Sequence, residues 1–326
     1  MDIRIHLQPL RAVARTTAIE LASQPVVLLL LLTGCVMTSL IPLLHFHDFG
    51  EPGRLVRDGG LAYQLVIGTI LAVFSVSRTI HDELGDGTAL PALAKPISRG
   101  AFLAGKCLGA MSVIFSFWLA TLATTIVAFR VSPRFVDLGE EGMGFVTDST
   151  AQSILLLVPA ISLVAAGYLH NRRRVRFCLA AVSLVEWLSI TALAITLLFD
   201  RQWHFAPSLS NANLVTVLAS LPILFAVASV SAIAAALSVR LPAAPVMAIT
   251  AILVAAGLSW DSICASWPLL AALPVPDIQD FWLPDMLSRQ GTIPARYLAM
   301  SFAYALSIAL FALVCGTAAL ESRDVN

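Results

Sequence analysis

Glu186 is the side chain best placed to do chemistry inside this sequence. It sits near the middle of an otherwise uncharged run, 177–199, with Ser183 and Ser189 three residues to either side, so that all three share one helical face. If that run crosses a bilayer, a charge at that depth costs about 2.5–3.5 kcal/mol on insertion scales. Such a carboxyl must face other helices, face a wet cavity, or hold a proton. It reads either as a polar element of a translocation path or as a structural carboxyl bonded to a neighbouring helix. The histidines offer less. His45, His47 and Asp48 cluster at the end of an apolar run, and His81–Asp82 and His170 stand apart from them. None has the H-E-x-x-H spacing of a zinc protease, and no G-x-S-x-G nucleophile turn occurs. The stretch Gly100-x-x-x-x-Gly105-Lys106 nearly makes a phosphate-binding loop, but Cys107 stands where a Ser or Thr would hold magnesium. An apolar run follows it and no strand precedes it. The five cysteines, Cys35, Cys107, Cys178, Cys264 and Cys315, are scattered without a metal or disulfide spacing and read as small apolar residues. The chain is therefore expected not to be an enzyme and to hold no metal.

The elements that would position these residues are membrane helices. Hydrophobic residues make up 58% of the 326 and charged residues only 12%, against about a quarter charged in soluble domains. Such a chain cannot cover its surface with polar groups in water. A net charge of zero gives no electrostatic reason to expect a nucleic-acid partner. Apolar runs of membrane-crossing length fall at 25–44, 61–80, 103–129, 152–170, 177–199, 214–238, 243–260 and 296–319. The expected fold is all-α and polytopic, with about eight transmembrane helices. The membrane body is 25–319, and a short tail, 320–326, follows it.

Residues 1–24 read as an amphipathic helix lying in the headgroup plane. Pro9 suits a first turn, Leu10, Val13, Ala14, Thr17 and Leu21 share a face, and Arg11 and Arg15 flank it. This lead is too long, and the following apolar run too continuous, for a cleavable signal peptide; Leu32-Thr33-Gly34-Cys35 only mimics a lipoprotein box. With the amino terminus inside, thirteen of the 20 Lys and Arg fall on the inner side, led by Arg172, Arg173, Arg174 and Arg176. The positive-inside rule thus places both termini in the cytoplasm. The segment 261–295, rich in Pro and Trp, reads as short external helices. The sixth run carries small residues, among them Ala226, Ser229, Ala234, Ala235, Ala236 and Ser238, which favour close helix packing in lipid.

Between two uncharged runs lies the polar stretch Arg78–Lys106. Its order is Asp82-Glu83-x-x-x-Gly87-Thr88, then Lys95-Pro96-Ile97-Ser98-Arg99, then Gly105-Lys106. Ile80, Leu84 and Thr88 share a face opposite Asp82 and Asp86, but Leu90 and Leu93 fall elsewhere, so spacing alone does not make an amphipathic helix here; Ser98 can cap the following span. This pattern resembles the loop of type-2 ATP-binding-cassette (ABC) exporter permeases. The resemblance implies that loop 81–102 carries a coupling helix that docks on a separate ATPase subunit. Asp82, Glu83, Gly87, Thr88, Lys95, Pro96, Arg99 and Lys106 would then form the coupling loop.

It further implies two ATPase copies, a second permease copy or a homologous one, and residence in the cell (inner) membrane among its lipids. No cofactor is expected on the chain itself; ATP and magnesium would be used by the partner. Family members usually show six spans, so the surplus in a count of eight is expected at 152–199, as the extra hairpin of an enlarged subfamily or as a re-entrant hairpin. Two rival readings stand beside this one: a proton-coupled secondary transporter using Glu186, and an intramembrane enzyme.

Overall fold

Every one of the eight apolar runs is a helix. The computed structural model describes residues 3–44, 53–85, 98–137, 143–207, 211–267, 275–283 and 293–322. Helix α1 spans Ile3–Ala22, α2 Pro25–Leu40, α3 Arg54–Ser77, α4 Arg99–Val131, α5 Ser149–Arg173 and α6 Phe177–Leu198. Then come α7 Asn211–Ser238, α8 Ala243–Leu258, α9 Trp260–Ser266 and α10 Ala295–Glu321. The fold is all-helical and polytopic, with seven helices among the described residues long and apolar enough to cross a membrane, or eight if the bent pair α8–α9 counts as one span. The loop between α4 and α5 holds one feature that the apolar pattern does not announce. Strand β1 (Arg134–Asp137) pairs antiparallel with β2 (Met143–Val146), Phe135 opposite Phe145.

Helix α4 is the axis of the bundle. Its 33 residues extend about 50 Å at 1.5 Å per residue, well beyond the roughly 30 Å hydrocarbon core. It touches α1, α2, α3, α5, α6, α7 and α10. Within their apolar windows α4 is 72% buried and α3 67%, whereas α5 is 22% and α10 17%. Helices α3, α4 and α7 therefore make the core, and α5, α6 and α10 form the rim.

In lipid, apolar tails solvate leucine as well as protein does, so association depends on close backbone approach. The small residues supply it. A Cβ on Gly60 of α3 would fall 2.5 Å from Thr125 of α4, and one on Gly316 of α10 would fall 3.1 Å from the Cα of Ala236 on α7. Ala226, Ser229, Ala234 and Ala235 of α7 are fully buried. The hydroxyls of Thr121, Thr124 and Thr125 donate back to carbonyls four residues earlier at 2.8 Å, which satisfies them without water. Two caps also follow local rules. Ser98 Oγ accepts from Ala101 N–H at 3.2 Å, opening α4, and Asp148 accepts from Ala151 N–H at 2.9 Å, opening α5.

Three expectations need correction. Helix α1 begins at Ile3, so Pro9 lies inside it and not in its first turn. The second span starts earlier than its apolar core suggests, because Arg54, Arg57 and Asp58 pair with one another at 3.3 and 3.0 Å and extend the helix. A re-entrant hairpin at 152–199 is not what forms: α5 and α6 are continuous helices of 25 and 22 residues and make an unbroken hairpin. The broken helix is α8, whose 16 residues give way to α9 through a 74° bend.

The chain ends decide what α8 does. Arg240, just past α7, donates to Ser322 Oγ just past α10 at 2.5 Å. The two helices therefore finish at the same face and run parallel. The chain between them must return to the opposite face, and α8 is the helix that makes the return. Its far end is held there: Gly257 O accepts from Ile278 N–H at 3.1 Å, and Tyr304 Oη accepts from Asp277 N–H at 3.0 Å.

Candidate coupling surface and intramembrane carboxylate

The polar stretch begins as a continuation of α3. After Ser77 the helix widens into a π-helical turn, Arg78–Asp82, and closes with Glu83–Gly85. Ile80 and Leu84 are buried in the main core, whereas Asp82 is about half exposed. Arg78 and Asp82 pair loosely at 3.8 Å. π-helical turns are rare and recur at functional sites.

Lys106 and Arg99 are structural ties. Lys106 is almost fully buried, pairs with Glu83, and lies 5.7 Å from the Phe102 ring. This pair fastens the end of α3 to α4. Arg99 donates to the carbonyl oxygens of Leu320 and Glu321 at 2.8 and 3.0 Å, satisfying the last turn of α10. Asp82 is thus the exposed charge among the described candidate residues. Gly87, Thr88, Lys95 and Pro96 lie outside the described residues.

Other segments converge on this face. Gly105 and Gly109 of α4 receive Val13 and Thr17 of α1; a Cβ on Gly109 would fall 2.6 Å from Ala14 O. Thr17 and Leu21 are fully buried there, so the predicted apolar face of α1 rests on α4. Arg176 reaches Ser23 Oγ at 3.5 Å, and Ser238 Oγ donates to Ser77 Oγ at 3.1 Å. The amino-terminal helix and the turns after α3, α5, α7 and α10 therefore share one end of the bundle, as the alternation of spans requires.

Glu186 does not share a site with Ser183 and Ser189. Its Oε2 accepts from Ser116 Oγ of α4 at 2.6 Å. Ser183 turns back on its own helix, donating to Leu179 O at 2.9 Å and Ala180 O at 3.0 Å. Ser189 is buried, its hydroxyl has no hydrogen-bond partner, and it lines a small cavity of about 10 Å³ with Cys35, Ser39 and Thr124. Helical spacing alone cannot show this split, because it gives direction around one helix and not the neighbour met there. Ser116, a hydroxyl midway along α4, is the residue that sequence reasoning missed.

A second missed cluster holds the opposite face. Arg130, at the end of α4, donates from Nε to Asp148 Oδ2 at 2.9 Å. It also donates to the carbonyls of Thr196, Phe199 and Asp200 and lies 5.3 Å from the Trp203 ring. Trp203 Nε1 donates to Asp148 Oδ1 at 3.2 Å. The signal was present in the sequence as an arginine closing an apolar run and an acid opening the next.

No group of three or more His, Cys, Asp or Glu is gathered for a metal among the described residues. His45, His47 and Asp48 lie outside them. His170 Nδ1 meets Val175 O at 2.8 Å and closes the α5–α6 turn. Comparison with protein-family models, with curated proteins and with solved structures found no match, so the functional reading rests on the residues and their arrangement.

Proposed function

We propose that this polytopic membrane protein is the transmembrane permease subunit of an ABC exporter. Two permease copies, or this one and a homologous one, work with two ATPase subunits in the cell membrane, with both termini of this chain in the cytoplasm. The observation that carries the reading is the anchoring of the polar stretch. Its two ends are the last turns of α3 and the first turns of α4, the most buried helices of the bundle, clamped to each other by Glu83 and Lys106. A push on the loop between them is delivered to the core and not absorbed by the rim. The chain performs no covalent chemistry in this reading. ATP and magnesium act on the partner, and the near phosphate loop at Gly100–Lys106 is spent inside α4.

The test is copurification of a tagged chain with an ATP-hydrolysing subunit. Reversing Asp82 and Asp86 to lysine is expected to weaken capture several-fold. Glu83 is left intact in that variant because it clamps α3 to α4. Capture that is indifferent to both reversals sinks the docking assignment.

The second reading, a proton-coupled transporter, would use Glu186 as the carrier, whose contact with Ser116 of α4 is equally that of a structural carboxyl bonded to a neighbouring helix. Glu186→Gln then abolishes transport that needs no ATP; ATP-dependent transport that survives the substitution rejects it.

A further inference from the structure

We propose that the slot between α8 and α10 is a binding site for one acyl chain of an anionic membrane lipid, with Arg240 holding the headgroup phosphate. Helices α8 and α10 both pack on α7 and make little contact with each other. The gap they leave has a volume of about 540 Å³, within the range of about 300–1,000 Å³ usual for small-molecule sites. Its floor is Ile233, Ala236 and Leu237 of α7, and its α10 wall runs from Tyr304 to Cys315. Ser307, Phe311 and Cys315 remain exposed, so the slot opens sideways toward the surrounding lipid.

Length, closure and charge together select the occupant. From Tyr304 to Cys315 the wall extends about 16 Å at 1.5 Å per residue, close to the ~15 Å depth of one leaflet of the hydrocarbon core. One end is shut, where Val275 and Pro276 line it and Asp277 N–H meets Tyr304 Oη. The other end lies one helical turn from Arg240, whose N–H bonds to Leu237 O. Arg240 is exposed, and its contacts to Ser322 Oγ and Ala319 O both use Nη2, leaving other donors of the five on a guanidinium. Basic groups beside helix crevices at the headgroup level are sites for anionic lipids. An acyl tail entering from the Arg240 end thus fills a blind apolar slot while its phosphate meets the arginine.

The test uses the full chain in phosphatidylcholine vesicles carrying a trace of either acyl-diazirine phosphatidylglycerol or acyl-diazirine phosphatidylcholine. After photolysis, labelled residues are mapped by mass spectrometry. The expected result is labelling concentrated on Ala236, Leu237 and Ser307–Cys315, with the phosphatidylglycerol probe favoured about five-fold. That factor corresponds to the ~1 kcal/mol contributed by one arginine near an anionic headgroup. Arg240→Gln, an exposed change outside the core, is expected to remove the preference, and Ala312→Phe to remove the groove labelling. Labelling spread evenly over the exposed faces of α2, α5 and α10, unaffected by Ala312→Phe, overturns the site. A preference that survives Arg240→Gln overturns the headgroup assignment. Efficient crosslinking of Cys315 between two copies overturns it as well, because a second chain would then occupy the slot.

Discussion

Arg130 and Asp148 show how a charge can be held at the edge of a membrane bundle. The arginine is nearly buried and serves three helices at once: it closes α4, pairs with the N-cap of α5 and donates to the carbonyls that end α6. Removing one partner of a buried pair typically costs about 3–5 kcal/mol, because the other is left desolvated and alone. Asp148→Ala is therefore expected to lower the thermal unfolding midpoint in detergent clearly more than a substitution at exposed Arg15. Asp277 offers a different test at the same scale. Partial burial, then repulsion from Asp280 and Asp261, pushes its carboxyl above the ordinary 3.8. The folded state thus binds that proton more tightly than the unfolded one. The stabilisation is fully present below the ordinary value and is lost as pH rises through the raised value. Asp277→Asn should flatten this pH dependence of melting and leave the acid side unchanged. A steeper loss with rising pH in the variant would contradict the assignment.

At the scale of elements, α1 is the informative case. Its apolar stripe was legible from spacing, but a stripe suits lipid headgroups and a protein groove equally well. The groove exists because Gly105 and Gly109 leave α4 bare on that side. Gly109→Leu forces a side chain into the space of Thr17 and the Ala14 carbonyl, at an overpacking cost of about 1–3 kcal/mol. Faster hydrogen exchange through α1, with α4 still protected, is the expected readout. Helix α8 makes the complementary point. Its mean hydropathy marks it as a span, yet its 16 residues cover only about 24 Å, and the 74° bend turns α9 away from its axis.

For the whole molecule, the distribution of burial sets what can move. Helices α3, α4 and α7 are interlocked through small residues and a clamped polar stretch, while α5, α6 and α10 each expose a broad apolar face. Force applied at the α3–α4 turn therefore reaches the core first. The proposed sidedness rests on the placement of Lys and Arg. Cysteines placed at Asp82 and at Arg240 are both expected to resist a membrane-impermeant maleimide in intact cells, while one at Arg201 reacts. Labelling of the first two and not the third would invert the proposed orientation.

Composition and run length alone determined that this chain crosses a bilayer many times, since so few charges cannot wet its surface and each run matches the hydrocarbon thickness. Lys and Arg placement determined the expected sidedness for a similar reason: each charge is local, and its cost of crossing does not depend on neighbours. Only the tertiary structure decided which polar residues meet. Glu186 goes with Ser116 and not with the serines on its own helix, and Lys106 is a buried clamp on Glu83 and not a free surface cation. Those pairings join residues 23 to 70 positions apart, and they depend on which helix faces which, a choice made by small-residue contacts across the bundle that no single run of sequence records.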